Sequence, residues 1–160
     1  MLLWIFISVL CIAAAKPHSA SFTGEYGGAG GKRFSQSRNE MDGPITALRV
    51  RVNRFYITGI QIRYGNNWSE YRGDSILGDL EEIFLRPGED IIQVSGKHTT
   101  YLTKLVFFTN KGRNFPFGKD YGTSFNAVPL HPHTVLRFIS GRSGLLINAI
   151  GFHWDNPSSD

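Results

Sequence analysis

The chain is 160 residues long with 41% hydrophobic and 19% charged residues, enough for one globular domain and too little for two, and a disordered or fibrous chain is excluded. Seventeen Lys and Arg against 13 acidic residues leave a formal charge of +4, a moderate excess that suits an anionic partner without nominating nucleic acid. Eighteen glycines and 13% aromatic residues, set among runs rich in Val, Ile, Phe, Tyr and Thr, predict strands joined by tight turns and hence an all-β domain.

The chain opens on an apolar run, Leu2 to Ala15, that is too short to span a bilayer and ends in three alanines before Lys16. Residues 1–15 are therefore expected to be a cleaved secretory signal peptide, although no Lys or Arg stands at its start. Cleavage removes Cys11, the one cysteine, so the mature chain has no disulfide, zinc thiolate or thiol nucleophile and stands on packing alone. Residues 16–21 read as an N-terminal segment, Ser19 to Gly31 as polar and glycine-rich, and residues 156–160 as a tail. The sequon Asn67-Trp68-Ser69 makes Asn67 a glycosylation acceptor, whereas Pro157 excludes Asn156.

Further along, three segments align with a spacing of 45 residues: those starting at Ile57, Leu102 and Ile147, each with apolar side chains at offsets 0, 3 and 5. A strand-like run precedes each: Leu48 to Val52, Ile91 to Val94 and Val135 to Ile139. Each pair reads as a hairpin, and Leu80 to Leu85 and Arg113 to Phe117 add shorter strands between them. The step from offset 0 to offset 3 interrupts the two-residue alternation, which predicts a bulge at the start of each second strand. Three blades are too few for a propeller, so three sheets packed as a prism are expected.

With these elements placed, the stretches Gly24 to Ser35, Asp42 to Val50, Leu80 to Ile83, Pro87 to Glu89 and Gly144 to Trp154 resemble the jacalin-related lectins, most closely an animal secretory member. The resemblance covers residues 22–155 and implies a β-prism I fold, three four-stranded Greek-key sheets about a pseudo-threefold axis. It also implies metal-independent, cofactor-free carbohydrate binding of mannose type, in a shallow site formed by three loops. Carried over, the first loop gives Gly31 and the second, Gly96 to Tyr101, gives Lys97, His98, Thr99 and Tyr101. The third gives Ser143, Gly144, Leu145, Leu146 and Asn148, with Asn148 where the family has Asp. A carboxamide has one acceptor oxygen, two donors and no charge, so this exchange is expected to weaken or retune the hold on a neutral sugar by about 1–3 kcal/mol.

Charge is divided along the chain: residues 31–63 hold seven basic residues against two acidic, and residues 65–94 hold seven acidic against two basic. Arg49 and Arg51 flank Val50, so strand geometry puts both on one face, and with Lys32 and Arg33 they form a candidate anion-binding patch for sulfated glycosaminoglycans. The alternative function is thus a granule or matrix adaptor that binds sulfated proteoglycans. His131 and His133 lack the further ligands of a zinc set, Glu81 and Glu82 face opposite sides of a strand, and Ser143 lacks a His–Asp partnership, so no enzyme is expected. The expected partners are mannosides, sulfated proteoglycans and bacterial cell-wall glycans, with no nucleic acid and membrane contact only through glycans. The expected location is the secretory granule lumen or the extracellular space.

Overall fold

The structure is a computed structural model that describes residues 3–5, 7–12 and 19–159. The expected signal peptide and N-terminal segment lie partly outside the described residues, as does the end of the tail.

In chain order the strands are β1 (Ser21–Gly27), β2 (Lys32–Ser35), β3 (Ile45–Val52), β4 (Ile57–Tyr64), β5 (Asn67–Trp68), β6 (Arg72–Gly73) and β7 (Asp79–Phe84). They continue with β8 (Ile91–His98), β9 (Leu102–Thr109), β10 (Asn114–Gly118), β11 (Thr123–Ala127), β12 (Val135–Ser143) and β13 (Ile147–Asp155). Among the described residues the one helical element is a 3-10 turn, Asn39–Asp42.

These strands form three antiparallel sheets, ordered β1-β13-β12-β2, β10-β9-β8-β11 and β5-β4-β3-β7, with β6 also on β4. The last sheet departs from the expected four strands only in that its outer member is broken in two, β5 and β6 pairing with opposite ends of β4. Within the polar, glycine-rich stretch, Ser21–Gly27 is a strand because β13 offers it a free edge from Ala149 to Trp154.

The repeat read from the sequence is the axis of this architecture. β4, β9 and β13 begin at Ile57, Leu102 and Ile147, and the nine side chains at offsets 0, 3 and 5 are completely buried. Each such side chain contributes about 1.5–3 kcal/mol of burial. β4, β9 and β13 contact one another across the prism interior. The predicted bulge is present in all three hairpins: Val52 pairs Ile57 but Arg51 pairs Gly59, His98 pairs Leu102 but Lys97 pairs Lys104, and Ser143 pairs Ile147 but Arg142 pairs Ala149. The residue skipped is Thr58, Thr103 or Asn148. This extra residue lets the ends of each strand keep their apolar side chains inward despite the broken alternation.

Strand direction then gathers the loops. The three hairpin turns and the connections β1–β2, β6–β7 and β10–β11 all fall at the same end of the prism, because Lys32 pairs Ser143, Asp79 pairs Val52 and Thr123 pairs His98. The opposite end is secured by Glu89, a buried carboxylate bound by Arg113 Nε at 2.8 Å, Arg113 Nη2, Thr109 Oγ1 at 2.7 Å and the Arg86 N–H at 2.8 Å. The Arg113 hydrogen bonds, helped by those from Arg86 and Thr109, outweigh desolvation and hold this carboxyl at about 2.

Candidate functional site

At the loop end each bulge is pinned in the same way. The carbonyl of the bulged residue accepts a hydrogen bond from the neighbouring connection: from Gly28 to Asn148 at 2.9 Å, from Asp74 to Thr58 at 2.8 Å and from Lys119 to Thr103 at 2.7 Å. The preceding residue is always glycine, since a Cβ at Gly27, Gly73 or Gly118 would lie 2.0–2.2 Å from that carbonyl oxygen and each has positive φ. Three equivalent loop clusters result.

They differ in the side chain at the bulge. Thr58 Oγ1 lies 3.1 Å from the Leu77 carbonyl and 3.3 Å from that of Arg51, and Thr103 Oγ1 donates to the Tyr121 carbonyl at 2.6 Å. Asn148, only 7% exposed, has no side-chain hydrogen bond among the described residues. Its amide lies under a backbone stripped of side chains: a Cβ at Gly30 would be 2.9 Å from Nδ2, and one at Gly31 2.5 Å from Oδ1. Beside it, the Gly144 N–H donates to the Leu146 carbonyl at 3.0 Å, closing a tight turn with Leu145 exposed at its tip. Gly31, Ser143, Gly144, Leu145, Leu146 and Asn148 are thus brought together, with one acceptor and two donors of the carboxamide available to a ligand.

The second predicted loop reaches this cleft through its backbone. The Thr100 carbonyl packs on Gly28, where a Cβ would be 2.4 Å away, and the Thr99 N–H donates to the Tyr101 carbonyl at 2.9 Å. His98 Nδ1 lies 2.9 Å from the Thr99 carbonyl, and Tyr101 turns its ring edge-on to Tyr56 at 5.3 Å. Lys97 lies on β8 with its ammonium 2.9 Å from Asp120, which Lys104 also approaches at 3.3 Å. Hydrogen bonds from Lys97, then Lys104, hold the Asp120 carboxyl below its usual range.

Sequence reasoning missed Arg142, whose Nε donates to Glu25 at 3.1 Å and whose Nη1 donates to the Ala29 carbonyl at 3.2 Å. This guanidinium ties the glycine loop to the strand that leads into Ser143. The signal was its position, directly before the third loop.

The four cations of the predicted patch are not contiguous. Arg49 and Arg51 share the outward face of β3 as expected, but Arg49 is ion-paired with Glu82 and lies 3.8 Å over the Trp68 ring. Arg51 donates to the Tyr71 hydroxyl at 3.2 Å and the Gly78 carbonyl at 2.9 Å. Lys32 and Arg33 are on the edge strand β2 of another sheet, exposed beside Gly31, with Arg33 3.8 Å from Glu25. Arg72 of β6 covers Phe34 of β2 at 5.3 Å, so β6 and β4 stand between the two pairs. The charge segregated along the chain is recombined in space, because basic β3 pairs acidic β7.

Asn67 is exposed at the outer edge of β4, while Ser69 of the same sequon is buried, its hydroxyl held by Gln36 at 3.1 Å and by the Ile62 N–H at 3.1 Å. His131 and His133 occupy an exposed turn on the other end, against Val128 and Leu130.

Residues 23–153 match the family model of the jacalin-like lectin domain. The chain is 65% identical to zymogen granule membrane protein 16 of Homo sapiens, over 99% of this chain and 98% of that protein. Among solved structures it superposes on a prostate-specific WGA16 glycoprotein lectin with a TM-score of 0.75 and 35% identity, covering 86% of this chain and 99% of that one. It also superposes on artocarpin complexed with methyl-α-mannose with a TM-score of 0.70 and 25% identity, covering 86% and 98%.

Proposed function

The chain belongs to the jacalin-like lectin family of non-enzymatic carbohydrate-binding proteins, and from that premise we propose that it binds mannose-type glycans in the cleft between Gly31 and Asn148. One observation carries this reading: of three equivalent bulge residues, Thr58 and Thr103 spend their side chains on the protein itself and Asn148 does not. A largely buried amide without an internal partner is stabilised by a ligand that supplies one, and a sugar presents hydroxyls that both donate and accept.

The uncharged amide sets the strength. A millimolar monosaccharide complex is worth about −4 kcal/mol, and a neutral acceptor gives roughly half the hydrogen-bond strength of a carboxylate. The native site therefore holds free mannose weakly and draws its affinity from longer glycans. Asn148→Asp is expected to tighten mannoside binding about tenfold by titration calorimetry. An unchanged or weaker Kd would remove Asn148 from the site.

A second reading, binding of sulfated proteoglycans, is favoured by Lys32 and Arg33, which are exposed on β2 immediately after Gly31. Arg49 and Arg51 add less to it, each being engaged by neighbours. A glycan array with mannosides, sulfated chains and bacterial cell-wall glycans, read at low and physiological salt, separates the readings: the mannoside signal persists, and a charge-driven signal falls steeply. The leader expected over residues 1–15 and the name of the 65% identical relative support a place in the secretory granule lumen or outside the cell, with membranes met only through glycans.

A further inference from the structure

Beyond the Asn148 cleft, contacts run without a gap across the loop end. Thr100 packs on the glycine loop, Tyr101 meets Tyr56 at 5.3 Å, Tyr56 meets Phe55 at 6.3 Å, and the Tyr121 hydroxyl donates to the Phe55 carbonyl at 2.6 Å. Phe55 is 54% and Tyr121 37% exposed, so this ridge faces solvent although three different loops build it. Aromatic faces edged by hydroxyls suit the mixed apolar and polar surface of a sugar chain.

The ridge ends at a cavity of about 360 Å³ lined by Asn53, Arg54, Asp79, Glu81 and Lys119. Arg54 lies 5.5 Å over the Phe55 ring, so ridge and cavity share a wall. Several neighbouring cations and carboxylates on this surface are paired: Asp120 with Lys97 and Lys104, Glu25 with Arg142, Glu82 with Arg49. Arg54, Lys119, Asp79 and Glu81 line one cavity and form no ion pair with one another or with any other described residue. A polyanion meets two carboxylates here and a polycation meets two cations, each repelled by half of the lining. A group carrying both signs pairs with all four.

We propose that this cavity is a distal subsite for a zwitterionic substituent, an ammonium and an anionic group on one glycan residue, reached from the Asn148 cleft over the Tyr101–Tyr56–Phe55 ridge. The proposal rests on the lectin reading above for the near end of the glycan only. The test is titration calorimetry with three ligands: a neutral mannotrioside, the same trioside bearing phosphoethanolamine on its terminal residue, and the same bearing phosphate alone. Phosphoethanolamine is expected to improve affinity about tenfold over the neutral ligand, the order of two exposed ion pairs, and phosphate by clearly less. Both Arg54→Gln with Lys119→Gln and Asp79→Asn with Glu81→Gln should erase the gain while leaving neutral-ligand affinity unchanged, which also shows that the variants fold. Equal affinity for the neutral and phosphoethanolamine ligands, an equal gain from phosphate, or a gain that survives in either double variant overturns the proposal. Should the neutral ligand fail to bind, the Asn148 reading falls, and the cavity is still judged by whether the phosphoethanolamine ligand loses affinity in the two variants.

Discussion

Three loop clusters share one end of the prism, one kind of bulge and one pinned carbonyl, yet the Thr58 and Thr103 clusters are closed and the Asn148 cluster is open. A threonine hydroxyl is short, and its proton finds a carbonyl of the facing loop within 2.6–3.1 Å. The carboxamide of Asn148 reaches further, toward backbone at Gly30 and Gly31 that offers it nothing among the described residues. On the proposed reading, a repeated scaffold gains a site less by adding recognition groups than by withholding an internal partner from one copy.

Breaking the open cluster at its glycine has the largest expected effect. Gly31→Val places a branched side chain at a φ of +76°, with its Cβ 2.5 Å from Asn148 Oδ1 and 2.9 Å from the Ser143 carbonyl. Mannoside affinity should fall about a hundredfold or more, whereas Gly122→Val, equally crowded at 2.5 Å from the His98 carbonyl, should cost stability and spare binding. Similar losses in both would mean that the clusters are not functionally distinct.

Next in size is a change at the opposite end that separates folding from recognition. Glu89→Gln leaves Arg113 without its anion and should lower stability at neutral pH by roughly 2 kcal/mol with the Kd of the folded protein unaltered. The Glu89 carboxyl is held at about 2 from an ordinary 4.5, so its contribution is complete above about 4.5 and is lost as pH falls through 2. Denaturation midpoints should therefore drop less between pH 5 and pH 2 in the variant than in the native chain.

Asn148→Thr gives the open copy the side chain of the closed ones, removes the carboxamide, and should weaken mannoside binding about tenfold while leaving Tm within a degree or two. Retained affinity would show that the loop backbone alone recognises the sugar. Smallest of all, Thr103→Val removes the bond to the Tyr121 carbonyl and should cost about 1 kcal/mol in denaturant unfolding, with no change in glycan affinity.

Much of this was legible in the sequence for a physical reason. The offsets 0, 3 and 5 record where side chains must point inward, so they carry both the prism and its bulges. The asymmetry was also written there, as Thr58, Thr103 and Asn148 at offset 1 of the three segments, but a bulge residue has no periodic partner to mark it. Arg49 and Arg51 were placed on the right face, yet their engagement by Glu82, Trp68 and Tyr71 depends on contacts 19 to 33 residues distant. The second loop was read from Gly96 onward, whereas β8 extends to His98, so Lys97 and His98 belong to the end of a strand whose length depends on its pairing with β9 and β11. Of the ridge of Tyr101, Tyr56, Phe55 and Tyr121, Tyr101 alone was singled out in the sequence, since the ridge comes from three separate loops.

The first sheet is shared between the two ends of the chain: β1 and β2 come from its beginning and β12 and β13 from its close, with Ser21 opposite Trp154. The glycine loop thus waits for more than a hundred residues of synthesis before Asn148 exists to face it. Pairings of that separation form late and slowly. On the proposed reading, glycan recognition is silent in any chain that ends before β13, and binding activity reports that the last strand has docked.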